Sequence, residues 1–325
     1  MKTNWGIIGC GNVTELKSGP AFRKVDRSDV VAVMRRNVAL AEDYARRHRV
    51  GKWYSDACEL IHDQEVNAVY IATPPGSHAE YAVAAMRAGK PVYIEKPMAA
   101  SYEECLAIAE VAEQTGMPCF VAYYRRTLPY FLRIKELVDN GEIGAIKDVR
   151  INFINPPYPS DLNRDTLTWR VNREIAGAGY FYDLASHQLD FLDYLFGEIT
   201  EADGIVQNVA NLYDVEDTVD ARWKFHSGIS GSGHWEFAAP VEKRTDEVVI
   251  QGAEGTIGFS TFSFSPIVLE NRSGRREFIE KNPENIAFYL IKSITDWLNG
   301  AGEYPVSDFR SAMRTNWVMD RILGR

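Results

Sequence analysis

Three side chains in this 325-residue sequence have the types and spacing for proton and hydride chemistry. Lys96 stands between Glu95 and Pro97, and Asp183 and His187 are four residues apart. Oxidising a carbinol needs a hydride acceptor, a base for the hydroxyl proton, and a cation or donor where charge develops on oxygen. Lys96 and His187 supply the last two. A spacing of four at a helix start puts Asp183 and His187 on one face, about a turn apart. His187 then shuttles the substrate proton, while Asp183 hydrogen-bonds substrate or imidazole and raises the basicity of the ring. The same Asp/His spacing is also that of a helix cap or a surface pair. Pro97 restricts Lys96 to extended backbone, which helps fix its direction.

The missing hydride acceptor points to the first residues. Gly9 and Gly11 fall in a turn after a short apolar run, where glycine allows a tight bend and close approach of a pyrophosphate. Asn12 and Val13 then open a helix whose free amides and positive dipole end face the phosphates. The third glycine position holds Thr14, and a purely structural glycine turn is the alternative. At the end of the second strand, where an acidic group usually meets the ribose 2'-hydroxyl, the sequence has Arg35 and Arg36. Two guanidiniums suit a 2'-phosphate, so NADP(H) is expected over NAD. On the alternative reading both arginines sit on a solvated loop.

These residues need a scaffold, and the first half supplies strand and helix in alternation. The runs 5–8, 30–34, 68–72, 92–95 and 119–122 lack period-2 alternation and read as strands buried on both faces. Helical patterns at 38–48, 78–88 and 103–115 separate them, the last preceded by Ser101 with Glu104 three residues on, as in a capping box. The class is α/β: a Rossmann-type doubly wound parallel sheet over residues 1–122. Lys96 follows the strand at 92–95, at the carboxyl edge where such sheets bind ligands. Residues 123–325 read as an α+β domain for substrate binding and oligomerisation. It has a helix at 130–140, a long strand at 146–154, a helix at 183–196, and a large, mostly antiparallel open sheet over 199–278. Helices at about 284–298 and 309–323 close the chain, the last with Ser307 as a plausible cap, and they could pack back on the first domain.

Four stretches carry a family resemblance. Ala72-Thr73-Pro74-Pro75-Gly76-Ser77-His78, Ala88 to Pro97 with its Glu95-Lys96-Pro97, Trp169-Arg170, and Gly177-Ala178-Gly179 leading to Asp183-Leu184-Ala185-Ser186-His187 are similar, in order and spacing, to motifs of the Gfo/Idh/MocA oxidoreductases. The resemblance spans essentially the whole chain. It implies catalytic roles for Lys96, Asp183 and His187, a cofactor edge including Thr73, Pro74, His78 and Glu95, and a sugar, anhydro-sugar or inositol-like substrate. His78 also fits a packing role at a helix start. Tyr124 and Arg126, at the domain junction, are substrate candidates; on the equal alternative, Arg125 and Arg126 only hold the domains together. Trp169 and Arg170 are substrate-wall candidates that could equally be core.

A net charge of −9 gives no broad positive field for nucleic acid or anionic lipid. No apolar run reaches the length of a membrane span or a signal-peptide core, so a cytoplasmic protein is expected. Four scattered cysteines and six scattered histidines show no metal-ligand spacing. A broad sheet with an apolar face suggests a homodimer or homotetramer. Two other functions suit such a chain: an NADP-binding sensor without catalysis, and a glycosidase that works through transient oxidation by a retained nicotinamide.

Overall fold

A computed structural model describes residues 2–325. The first elements in chain order are β1 (Thr3–Ile8), α1 (Asn12–Leu16), α2 (Gly19–Lys24), β2 (Ser28–Met34), α3 (Val38–His48), β3 (Lys52–Tyr54), α4 (Ala57–His62), β4 (Ala68–Ile71), α5 (His78–Arg87), β5 (Val92–Ile94), α6 (Tyr102–Thr115) and β6 (Cys119–Val121). They are followed by α7 (Pro129–Asp139), β7 (Ile146–Ile154), α8 (Arg173–Ala176), α9 (Ser186–Phe196) and β8 (Ile199–Gln207). Then come β9 (Thr218–Phe225), β10 (Ser230–Glu236), β11 (Thr245–Gly252), β12 (Gly255–Phe259), β13 (Ile267–Asn271), β14 (Gly274–Phe278), α10 (Phe288–Leu298) and α11 (Phe309–Ile322). Two compact units result: Met1–Thr127 with Pro283–Met313, and Leu128–Asn282 with Arg314–Arg325.

In the first unit all six strands run parallel in the order β3-β2-β1-β4-β5-β6. The strand order reverses between β1 and β4, and the carboxyl ends beside that point are where an open α/β sheet takes a ligand. Ala68-Val69-Tyr70-Ile71 is buried throughout, as a strand covered on both faces must be. One core lies over Ile8, Leu60, Ile71, Met86, Ile94 and Ile108. The other lies over Trp5, Phe22, Tyr70 and Tyr93, and takes in Leu290, Ile291 and Ile294 of α10. The edge strand β6 is finished by the returning chain: Val121 N donates to Ser307 O at 3.0 Å and Ser307 Oγ donates to Val121 O at 2.8 Å. Ser307 is therefore a strand partner, and Asp308 takes the capping role expected of it by accepting from Ser311 N at 3.0 Å. At α6 the expected serine cap forms, with Ser101 Oγ accepting from Glu104 N at 3.2 Å.

The second unit is an eight-stranded sheet in the order β14-β13-β12-β11-β7-β10-β9-β8, antiparallel except where β10 pairs with β7. Alternation divides its faces. Val149, Ile151, Phe153, Val248, Ile250, Ile257 and Phe259 are buried, and Phe131 of α7 and Phe191 of α9 close on Phe259 at ring distances of 6.3 and 6.1 Å. The opposite face carries Asp148, Arg150, Asp220, Arg222, Lys224 and His234. The apolar face expected to seek a second copy is thus already covered inside the unit, and the face left open is polar.

Candidate functional site

The glycine turn sits at the carboxyl end of β1. Gly9 adopts φ +93°, and a Cβ there would lie 2.7 Å from Thr73 Cγ2 and 2.8 Å from Thr73 N, so only glycine fits. Gly9 N and Cys10 N both donate to Met34 O, at 2.9 and 3.2 Å, which pins the turn to the end of β2. Gly11 precedes α1 in extended backbone, and a Cβ on it would meet nothing nearer than Gly9 O at 3.8 Å. That side of the turn is open. Asn12 and Val13 begin α1, where helix geometry supplies no carbonyl partner for the first amides. Thr14 replaces the third glycine without cost because its hydroxyl turns back on Gly11 O at 2.8 Å. The close approach moves instead to Gly19, where a Cβ would stand 2.1 Å from Thr14 O.

Arg35 and Arg36 are exposed at the end of β2, and Arg35 Nη1 is 3.5 Å from Cys10 O. The guanidinium therefore lies beside the glycine turn. A cradle that a Cβ would fill, open amides beyond it and two exposed cations at its rim fit a dinucleotide.

Two loops at the same sheet edge carry the other candidates of this unit. Thr73 and Pro74 follow β4, with Thr73 Oγ1 held by the Ser77 hydroxyl at 2.8 Å. Glu95 and Lys96 follow β5 and are partly exposed. His78 is fully buried, with Nε2 2.7 Å from Thr73 O and Nδ1 3.1 Å from Pro97 O. Burial pushes its imidazole down to about 4. Its expected contact with the cofactor is corrected accordingly: with both nitrogens engaged inside the protein, the ring ties the Thr73 loop to the loop after Lys96. Arg126 also departs from expectation. It is 2% exposed, and its guanidinium donates to Val306 O at 2.6 Å and to Ser311 Oγ at 3.0 Å. Arg126 thus anchors the returning chain within the first unit rather than meeting substrate. Tyr124 is half-buried, its hydroxyl accepting from Arg125 Nη1 at 3.3 Å.

In the second unit Asp183 sits in a π-helical turn, Phe181–Ala185, that runs directly into α9. Such turns occur mostly as single interruptions, often at functional sites. Asp183 therefore lies in a widened turn and His187 in the α-helix that follows it, rather than both in one α-helix as expected. Asp183 Oδ2 accepts from Arg170 Nε at 3.0 Å, and the Arg170 guanidinium lies 4.6 Å from the Trp169 ring centroid. Trp169, Arg170 and Asp183 are consequently one stacked, ion-paired group, each partly exposed. His187 is 4% exposed, with the Phe262 ring edge-on at 6.0 Å. Gly179, at φ +59°, precedes this turn at a point where a Cβ would strike Val215 Cγ2 at 2.5 Å.

Sequence reasoning missed the ion pair between Arg170 and Asp183 because they stand thirteen positions apart across a chain broken into short turns, which no single periodicity spans. It also passed over Tyr70 and Ser18, which join Glu95 in a buried polar chain. A signal for Tyr70 was available: most hydroxyls in a strand buried on both faces find a partner, although that of Tyr93 in β5 does not. Among the described residues no group of three His, Cys, Asp or Glu could hold a metal ion, and no helix is long and apolar enough to cross a membrane.

Residues 3–123 match the family model described as "Oxidoreductase family, NAD-binding Rossmann fold", and residues 131–258 match the GFO/IDH/MocA C-terminal domain. Oxidoreductase P35 of Formosa agariphila is 38% identical over 325 residues, 99% of each chain. The scyllo-inositol 2-dehydrogenase (NAD(+)) of Bacillus subtilis is 28% identical over 82% of this chain and 77% of that enzyme. The solved structure of levoglucosan dehydrogenase in complex with NADH and levoglucosan superposes with a TM-score of 0.87 at 24% identity, covering 100% of this chain and 97% of that one.

Proposed function

The chain belongs to the Gfo/Idh/MocA family of oxidoreductases, and on that premise we propose that it exchanges a hydride between NADP(H) and a carbinol or carbonyl carbon of a sugar, anhydro-sugar or inositol-like molecule. The cofactor supplies hydride exchange at its nicotinamide ring; everything else falls to the protein. Gly9, Gly11, Asn12 and Val13 bind the pyrophosphate, Thr73, Pro74 and Glu95 border the nicotinamide half, and Arg35 with Arg36 takes the 2'-phosphate.

Removing a hydride from the carbinol carbon must be matched by loss of the hydroxyl proton. His187 accepts that proton in oxidation and returns it in reduction. Lys96 steadies the substrate oxygen as negative charge develops there. Asp183 orients substrate or imidazole, and Arg170 orients Asp183 through the 3.0 Å pair. Trp169, Arg170 and Tyr124 are assigned to substrate contact. A homodimer or dimer of dimers is proposed, and a monomer by light scattering would remove that assignment.

The observation that carries the NADP(H) reading is Arg35 Nη1 beside Cys10 O on the glycine turn, with Arg36 next to it and no carboxylate at that strand end. Calorimetric titration of cofactor-free protein with NADPH and NADH in parallel tests it. Tighter NADPH binding, lost in the Arg35→Ala/Arg36→Ala variant, is the expected result. Equal binding, or preference for NADH, assigns the arginines to the surface and redirects the substrate search to NAD-linked polyol oxidation.

A further inference from the structure

A run of largely buried polar contacts lies between α1 and the lysine. Val13 O, in α1, lies 3.3 Å from Ser18 Oγ. Ser18 is 1% exposed in the break between α1 and α2, and its Oγ is 2.9 Å from Tyr70 Oη. The Tyr70 hydroxyl donates to Glu95 Oε1, and Glu95 Oε2 accepts from Lys96 N at 3.3 Å. Tyr70 itself is fully buried and stacks on Tyr93 at 5.0 Å. A buried tyrosine hydroxyl aimed at a carboxylate is a charge-assisted bond, stronger than a neutral one. Losing it leaves the carboxylate short of a donor in a place where water is scarce.

We propose that Tyr70 is a positioning residue for catalysis, holding the Glu95 carboxylate and through it the backbone of Lys96. This rests on the oxidoreductase reading above. The groups facing Glu95 set the sign of the effect. Lys96 on its own loop and Lys17 at the end of α1 favour the carboxylate, as does the Tyr70 hydroxyl from β4, while burial opposes it and pushes the carboxyl up from its ordinary range. Tyr93, next along β5, is buried and neutral, and its hydroxyl has no hydrogen-bond partner. Removing the Tyr70 hydroxyl takes away a bond that favours the anion, so Glu95 must gain its proton at higher pH.

The test pairs a measurement that needs no turnover with one that does. Glutamate labelled with 13C at Cδ, with the Glu95 resonance identified by its loss in Glu95→Gln, is titrated in the wild type, Tyr70→Phe and Tyr93→Phe. The acid limb of kcat is measured on the same proteins with a reactive polyol or sugar. In Tyr70→Phe both the Glu95 titration and the acid limb move up by about one pH unit, a roughly tenfold loss of kcat on the acid side, with dinucleotide affinity little changed. Tyr93→Phe moves neither, and Tyr70→Phe adds less than about twofold to Glu95→Gln. An unmoved Glu95 resonance in Tyr70→Phe overturns the proposal, and a moved resonance with an unmoved acid limb overturns the positioning role. Wild-type protein that turns over no polyol or sugar with either dinucleotide, while Glu95 still shifts in Tyr70→Phe, overturns the oxidoreductase reading and leaves the link between Tyr70 and Glu95 standing.

Discussion

Gly9→Ala probes the cofactor turn at its most constrained residue. An L side chain at φ +93° costs about 1–3 kcal/mol in backbone strain. The added methyl also lies 2.7 Å from Thr73 Cγ2, 2.8 Å from Thr73 N and 2.9 Å from Ala72 C. Two of those atoms are backbone at the end of β4 and cannot rotate away, so the turn itself must move. A combined cost of about 3 kcal/mol is expected from strain and overpacking together. It divides between stability and binding: if the turn stays in place the fold carries the strain, and if it moves the pyrophosphate contacts weaken.

The loss of unfolding free energy and the loss of binding free energy for NADPH should therefore sum to about 3 kcal/mol. Taken wholly as binding, that is about a 100-fold rise in Kd; taken wholly as stability, it is a fall in Tm of roughly 6–12 °C. Calorimetric titration and thermal unfolding measure the two parts. Gly116→Ala is the control, because Gly116 has φ +67° and no atom within 4 Å of its would-be Cβ. It should cost only the backbone part and leave Kd alone. A Gly9→Ala protein with Tm within about 1 °C and Kd within about threefold of wild type would refute the reasoning.

Lys96→Ala should lower kcat at least ~100-fold with dinucleotide Kd little changed; near-full turnover would remove the lysine from the chemistry. Glu15 is held down to about 2, from an ordinary 4.5, chiefly by the Arg47 guanidinium and also by His48. A depressed carboxyl contributes stability that is present above pH ~4.5 and lost as pH falls toward 2. With the side chain 29% exposed, a discounted contribution of about 1–2 kcal/mol is expected. Urea unfolding of Glu15→Gln should show that deficit at pH 7 and a shrinking one toward pH 3; a constant deficit would assign the loss to packing. Arg314→Met should cost about 3–5 kcal/mol in denaturant unfolding, because Asp193 is 1% exposed and Arg314 Nε and Nη2 donate to it at 3.0 and 2.5 Å. Replacing Asp193 by Leu in the same background should restore most of it, and failure to do so would locate the effect in the arginine's other contacts.

Much of this molecule was legible from local pattern. Ala68 to Ile71 and Val92 to Ile94 are unbroken apolar runs, and burial on both faces makes any other placement of them costly. The edge strand β3, with Lys52 and Tyr54 half-buried and Trp53 exposed, follows no such rule and was missed, as was the six-residue α4. For α4, Asp56 did offer a cap signal, accepting from Cys58 N at 2.8 Å. The site divides in the same way. Gly9 was readable because a tight turn demands glycine, whatever the distant contacts. Arg126 was not, because its partners Val306 and Ser311 lie about 180 residues away, and no spacing rule spans a chain that leaves a unit and comes back. The π-turn under Asp183 follows Gly179, which packs closely on Val215 from more than thirty residues away, and side-chain periodicity records neither.

The closure of β6 by Ser307 also has a consequence for synthesis. When residue 127 leaves the ribosome, all six strands of the first sheet exist, yet the apolar residues of α10 are still more than 160 residues from being made and Ser307, the partner of Val121, is 180 residues away. At ordinary elongation rates that is a wait of roughly 8–36 s, during which β6 presents an open ladder and the sheet face around Trp5, Phe22 and Tyr93 lacks its cover. The nascent first unit is therefore a sheet with one raw edge and one bare side, a species that invites pairing with its neighbours on a polysome. The same exposure would persist in any fragment cut at residue 127, however well its glycine turn is formed.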